Sequence, residues 1–205
     1  METLISQGYH IVSTGGTYTH LKTECSNTDH IESVVSLTQF PEILGGRVKT
    51  LHPKLYGGIL SQRSDKDSSE LQENNCCDID IVIVNLYPFS DQPEIENIDI
   101  GGVSLLRASA KNYKHVISVC DPKDYHLLKN VSTISGDTRH CLAQKTFSLV
   151  EKYDKDIRVW FAPGFPLKYG LNPHQAYAEI LQPVANTTTG QRPLTFLNGT
   201  PGYIN

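Results

Sequence analysis

A chain of 205 residues with 39% hydrophobic and 20% charged content reads as a soluble globular sequence, one domain or one domain with an extension. A formal net charge of -4 supplies no general attraction to nucleic acid or to an acidic membrane, and leaves room for a small local basic site. No apolar run approaches membrane-spanning length, and Met1 to Ile5 has neither the basic nor the apolar region of a signal peptide.

In chain order, Glu2 to Gln7 reads as the end of a helix stopped by Gly8. Tyr9 to Ser13 is a short strand, Gly15-Gly16 a turn, and a helix starts at Thr17. Val34 to Leu37 reads as a second short strand. Ile79 to Val84 is a continuous apolar run rich in β-branched residues, as in a buried parallel strand. Gly101 to Asn112 is helical, with Val103, Leu106 and Ala110 on one face and Ser104, Arg107 and Lys111 on the other. His115 to Cys120 is a strand, and Asp121-Pro122 caps the helix after it. A charged, helix-prone segment runs from Asp137 to about Phe161, and Pro163-Gly164-Phe165-Pro166 marks a boundary. Strands alternating with helices give an α/β fold with a mainly parallel sheet.

Five cysteines, Cys25, Cys76, Cys77, Cys120 and Cys141, contain no C-x-x-C pair and have no matching histidine spacing. Structural zinc is therefore not expected, and free thiols in a reducing cytosol are.

Chemistry concentrates in Gly45-Gly46-Arg47-Val48-Lys49-Thr50-Leu51-His52-Pro53. Two glycines let the backbone turn or approach a ligand. A guanidinium grips phosphate oxygens, and a lysine beside it can neutralise developing negative charge. Pro53 argues against a continuing helix. A surface turn with two solvated cations is the competing reading. A second candidate is Ser13-Thr14-Gly15-Gly16-Thr17, which links a strand to a helix and can bind an anion at the helix start; an ordinary tight connection reads equally simply.

Taken with Phe40-Pro41-Glu42-Ile43-Leu44, Asn85-Leu86-Tyr87-Pro88-Phe89, Asp99-Ile100-Gly101-Gly102, Leu105-Leu106-Arg107-Ala108 and Ala110-Lys111-Asn112, in this order, the chain resembles the bifunctional purine-biosynthesis enzymes that carry IMP cyclohydrolase and AICAR transformylase domains. The resemblance covers nearly the whole chain and is absent from Ser61 to Cys77 and around Ser132 to His140. It implies the methylglyoxal-synthase-like, three-layer version of the fold over residues 1–135, a helical connector over 136–162 and an opening fragment of the transformylase domain over 163–205. The family's first strand and its polar loop, which carries a substrate-contacting lysine, have no counterpart before Glu2, so a complete cyclohydrolase would be expected to outperform this chain.

The implied reaction closes a formamido-imidazole-carboxamide ribotide (FAICAR) to IMP with loss of water, without metal or redox cofactor. By resemblance, Lys49, Tyr87, Asp99 and Lys111 match catalytic positions. Lys111 would move protons, Lys49 would stabilise the formyl oxygen, Asp99 would hold or deprotonate the carboxamide, and Tyr87 would orient it. Thr14, Gly15, Gly16, Thr17, Arg47, Val48 and Thr50 would bind the nucleotide. Asn85 and the backbone at Val84 and Ile100 would contact the base. Lys168 and Tyr169 match positions that bind the aminoimidazole nucleotide in the transformylase domain, whose cosubstrate is 10-formyltetrahydrofolate; arginine often stands in the family where Lys168 does. The resemblance also implies a homodimer in the complete protein, with a small nucleotide as substrate and neither nucleic acid nor membrane as partner.

Blander readings stay open for each residue. Asp99 is placed to cap a helix starting near Gly101, Tyr87 before Pro88 could cover a sheet edge, and Arg107 with Lys111 could form a solvated face. Arg107 reads as structural, His52 as a loop hydrogen-bonder, and His174 as part of the second domain. Asp99 and Lys111 stand twelve residues apart, about 18 Å along an unbroken helix. They meet one substrate only if the helix breaks, the lysine reaches back, the substrate spans them, or Lys111 comes from another subunit. Two other functions remain in view: a catalytically impaired nucleotide-binding or regulatory module, and methylglyoxal synthase chemistry on the same fold.

Overall fold

β-branched runs and capped helices organise residues 11–119 into two strand–helix–strand units. A computed structural model describes residues 1–162 and, for the remainder, the backbone of two short strands. Helix α1 (Glu2–Ser6) ends at Gln7, and Gly8 follows with a positive φ of 89°. Strand β1 (Ile11–Ser13) leads into helix α2 (Gly15–Glu24) and then strand β2 (Ile31–Ser33). β1 and β2 pair in parallel, Ile11 opposite Ile31.

Two expectations fail in this stretch. Gly15 and Gly16 are the first residues of α2, which starts two residues before Thr17. Val34–Thr38 is a short helix, α3, and the strand lies just before it. The Ser33 hydroxyl accepts from Ser36 N–H, and this cap overrides the strand preference of Val34 and Val35.

As expected, no helix continues through Pro53; instead it is the first residue of helix α4 (Pro53–Leu60), where its missing N–H costs nothing. His52 caps that helix, its Nδ1 accepting from Lys54 N–H at 3.2 Å. Helix α5 (Asp65–Glu73) forms in the stretch without family resemblance, capped by Ser64 and carrying Asp65 and Asp67 in its first turn.

Strand β3 (Ile81–Ile83), helix α6 (Gly101–Lys111) and strand β4 (Ile117–Val119) make the second unit, with β3 and β4 parallel. As expected, Leu106 and Ala110 are buried while Arg107 and Lys111 are exposed. Asp121 accepts from Lys123 N–H and Pro122 opens the next helix, which is a 3-10 helix over Pro122–Thr133. Helix α7 (Gly136–Phe161) follows.

The two strand pairs form separate hydrogen-bonded ladders, but they share apolar packing. Leu4, Ile117, Val119, Leu128, Val131 and Leu142 form a buried cluster on which Ile11, Ile81 and Ile83 pack. Inside it a hydroxyl chain joins three elements: Ser109 of α6, Ser118 of β4 and Thr146 of α7, at 2.8 and 3.0 Å.

The chain divides into two compact units. The first comprises Met1–Pro88 and Glu94–Lys152, and the second Phe89–Pro93 and Tyr153–Asn205. Within the second, Phe89 meets Tyr153 and Trp160 edge-on, Ser90 Oγ donates to Asp156 at 2.8 Å, and strands β5 (Gly164–Pro166) and β6 (Glu179–Leu181) pair antiparallel.

Candidate active site

The start of the nine-residue motif folds into a tight loop closed by one backbone bridge. Ile43 and Val48 pair antiparallel, their N–H and C=O groups bonded both ways at 3.1 and 3.4 Å. Leu44, Gly45 and Gly46 between them all have positive φ, 55°, 66° and 86°. Glycine takes that conformation without strain, which is why two stand here. The loop ends in Arg47, whose exposed guanidinium lies 3.6 Å from Glu96.

Two expected anion-binding segments meet at one carboxylate. A side chain added at Gly15 would reach within 3.9 Å of Glu42 Oε1, and one added at Gly46 within 3.7 Å of Glu42 Oε2. The start of α2 and the Gly45-Gly46 loop therefore flank the same negative group. Thr14 is extended and makes no side-chain cap of its own, so its hydroxyl is not committed to α2.

Lys49 and Tyr87, thirty-eight residues apart, come together: the half-buried Lys49 donates from Nζ to the exposed Tyr87 Oη at 3.4 Å. Thr50 is buried, and its Oγ1 occupies the space that a side chain on Gly101 would need. Asp99 Oδ1 accepts from Gly102 N–H at 2.6 Å, and a side chain on Gly102 would collide with that carboxylate. The two glycines of Asp99-Ile100-Gly101-Gly102 are thus needed for close approach, one by Thr50 and one by Asp99. The N-cap of α6 is Ile100, yet Asp99 just before it takes a first-turn N–H, which holds its carboxylate at the start of α6, where Thr50 also packs.

Other expected contacts are partly engaged already. Asn85 and Tyr125 bond each other, amide to hydroxyl at 2.9 Å and hydroxyl to amide oxygen at 3.2 Å. Val84 N–H donates to Val119 C=O, and Ile100 C=O accepts from Ser104 N–H. Lys111 stands apart. α6 runs from Gly101 to Lys111 as one helix, about 15 Å by helical rise. It does not break to bring Lys111 to Asp99. Lys168 and Tyr169 lie outside the described residues.

Four residues near the site were not singled out by the sequence: Glu42, Glu96, Tyr125 and Tyr56. Glu42 lay inside the quoted Phe40-Pro41-Glu42 motif, and its charge beside two glycines was the available signal. Tyr56 sits on α4 among buried Leu55, Gly58 and Ile59, and the signal there was a phenol on an otherwise apolar helix. Burial pushes its hydroxyl above the usual phenol range, and the Asp99 carboxylate pushes it further the same way.

Residues 1–114 match the profile of the MGS-like domain. The chain belongs to the MGS-like domain family. The matched MGS-like span contains Thr14 to Thr17, Arg47 to Thr50, Asn85, Tyr87, Asp99 and Lys111. Residues 109–205 match the profile of the AICARFT/IMPCHase bienzyme. This MGS-like chain is also similar to proteins described as bifunctional purine biosynthesis protein PurH. It is 41% identical to that of Thermoanaerobacter sp. (strain X514) over 86% of this chain and 40% of the relative. It is 41% identical to that of Macrococcus caseolyticus (strain JCSC5402), over 96% of this chain and 44% of the relative. For Caldicellulosiruptor saccharolyticus (strain ATCC 43494 / DSM 8903 / Tp8T 6331) the identity is 40%, over 82% of this chain and 38% of the relative. The chain thus spans less than half the length of these relatives. A crystal structure described as ForH superposes with a TM-score of 0.64 at 31% identity, over 77% of this chain and 86% of that one.

Proposed function

We propose that this chain carries the ring-closing activity of a bifunctional purine-biosynthesis protein, converting FAICAR to IMP with loss of water. The observation that carries the reading is the junction at the start of α6: Lys49 on Tyr87, Thr50 on Gly101 and Asp99 on Gly102. Similarity to proteins described as PurH supports the same reaction.

In the ring closure, the carboxamide nitrogen attacks the formyl carbon and gives up a proton. The former formyl oxygen then leaves as water, taking its second hydrogen from the formamide nitrogen. An amide nitrogen is a poor nucleophile, so the barrier falls by holding the two groups together and by stabilising the oxyanion. Lys49, an ammonium on a short tether, serves the formyl oxygen. Tyr87, held by Lys49, orients the carboxamide. Asp99 accepts from the carboxamide and draws off its proton. The 5′-phosphate takes the place of the Glu42 carboxylate between Gly15 and Gly46, with Arg47 as the counter-charge. Asn85 reads the base after exchanging its Tyr125 partner.

Lys111 serves the same reaction from a second copy of the chain in a homodimer, since α6 carries it away from Asp99 in its own copy. The transformylase half-reaction, with 10-formyltetrahydrofolate as formyl donor, belongs to the second domain of full-length relatives, and no role is assigned here to Lys168 or Tyr169. The site is one for a small metabolite in the cytosol.

The deciding experiment is an ultraviolet assay of IMP formation from FAICAR, run with the wild-type chain and with Lys49→Ala. IMP formation by the wild-type chain, slowed by about a hundredfold in the variant, supports the reading. Tight IMP binding with no turnover at any protein concentration would leave a binding module instead.

A further inference from the structure

Two imidazoles meet where β1 and β2 begin. His10 stands one residue before β1, and His30 one residue before β2. The parallel register sets Ile11 against Ile31, and Ile11 N–H donates to His30 C=O at 2.8 Å. Continued back by one residue, that register sets His10 beside His30, so both side chains leave the same face. The rings meet edge to face, their centroids 4.6 Å apart and their planes at 63°. His10 Nε2 lies 3.3 Å from His30 Nδ1.

A hydrogen bond across that gap needs one nitrogen as donor and the other as acceptor. His10 is exposed and His30 half-buried, so water competes for both nitrogens and such a bond adds little stability. The same separation suits a metal ion. Two imidazole nitrogens bound to one tetrahedral Zn²⁺ at about 2.0–2.1 Å stand about 3.3–3.4 Å apart. Right-angled bonds of that length, as in octahedral or square-planar ions, would draw them to about 2.9 Å. The pair is therefore spaced for tetrahedral chelation, and the strand ladder beside it fixes the spacing.

The surroundings decide what kind of site this is. Among the described residues no three His, Cys, Asp or Glu side chains are grouped to hold a metal, so the protein supplies two ligands and water the rest. Neither ring makes another hydrogen bond among those residues. Histidines in tight metal sites almost always donate their second N–H to a carboxylate, a carbonyl or water, and here water is left to serve. Such a site exchanges its metal, unlike a closed structural centre with four protein ligands.

We infer that His10 and His30 form an exchangeable two-histidine site for Zn²⁺, which clamps the start of β1 to the start of β2. β1 runs on into Thr14 and Gly15, so the clamp steadies the strand that leads to the start of α2. The site takes no part in the ring closure and stands whether or not that reaction is confirmed.

Zinc alone is the probe, titrated into the 205-residue chain under reducing conditions. Nitrogen NMR of the histidine side chains reads each ring separately. His10 Nε2 and His30 Nδ1 should shift together and saturate at one equivalent of zinc per chain, ahead of every other histidine ring. His10→Ala and His30→Ala should each weaken this binding by about tenfold or more, because one imidazole alone forms no chelate. With zinc present, the wild-type chain should unfold a few degrees above His10→Ala, and EDTA should close the gap. Comparing the two chains cancels the zinc taken up by the five free thiols, which both carry. His10 is exposed, so its removal leaves the fold intact, as circular dichroism will check. Zinc that shifts other histidines while rings 10 and 30 stay still overturns the inference. An affinity at those rings that His10→Ala leaves unchanged at His30 overturns it too.

Discussion

Thr50 Oγ1 fills the space that a side chain on Gly101 would occupy, so two motifs fifty residues apart are matched to each other atom by atom. Gly101→Ala should push Thr50 out of its buried place and move Lys49 with it. The expected cost is about 1–3 kcal/mol of stability, measured by urea unfolding, together with weaker IMP binding. Gly102→Ala should act differently. It displaces the Asp99 carboxylate and leaves Thr50 alone, so turnover should suffer more than nucleotide affinity. Equal tolerance of alanine at both positions would show that neither close approach matters.

Glu42 lies against both Gly15 and Gly46, where the proposed phosphate would bind, and Arg47 follows Gly46 in the chain with an exposed guanidinium. IMP should bind more tightly than inosine, and Arg47→Ala should erase most of that difference. Glu42→Gln should do the reverse, tightening IMP by about threefold to tenfold without affecting inosine, because a repelling carboxylate is removed at constant shape. Calorimetric titration with both ligands at two salt concentrations checks this. Equal affinity of the wild-type chain for IMP and inosine would end the phosphate assignment.

Acid stability should depend on Lys145. Its ammonium lies 2.7 Å from Asp121 and 2.6 Å from Asp124, and the hydrogen bond from Lys145, then that from Lys123 N–H, holds the Asp121 carboxyl below the usual aspartate range. A carboxylate depressed on folding contributes stability that is complete above its unfolded value. That stability is lost as pH falls through the lower folded value. Thermal stability should therefore fall below about pH 4, and Lys145→Ala should flatten this part of the profile. The groups are partly exposed, so salt should flatten it too.

The parts of the fold legible in the sequence are those with strong local signals. Ile81 to Val84 is apolar and β-branched, α6 alternates buried Leu106 and Ala110 with exposed Arg107 and Lys111, and α7 is long and uninterrupted. What misled was punctuation. Val34 and Val35 favour a strand, yet one Ser33 hydroxyl turned them into a helix, and the helix expected from Thr17 starts two residues earlier, at Gly15. In the site, residue types at Lys49, Tyr87 and Asp99 were readable, but their partners were not. Tyr87 meets Lys49, and Thr50 packs on Gly101, across separations that no periodicity encodes.

Lys111 gives the sharpest test of how many chains make one site. α6 is unbroken, and Lys111 ends it exposed, about 15 Å from Gly101. Lys49→Ala and Lys111→Ala should each lower ring-closure turnover by about a hundredfold while weakening IMP binding much less, as expected for oxyanion stabilisation and proton transfer. If the two lysines at one site come from different copies, refolding the two variants together creates mixed dimers in which one site has both lysines intact. An equal mixture should then recover about a quarter of wild-type activity, the statistical share of such sites. Either variant alone should recover none. Failure of the mixture to recover activity, with mixed dimers shown to form, would place both lysines in one copy and require the substrate to span the length of α6.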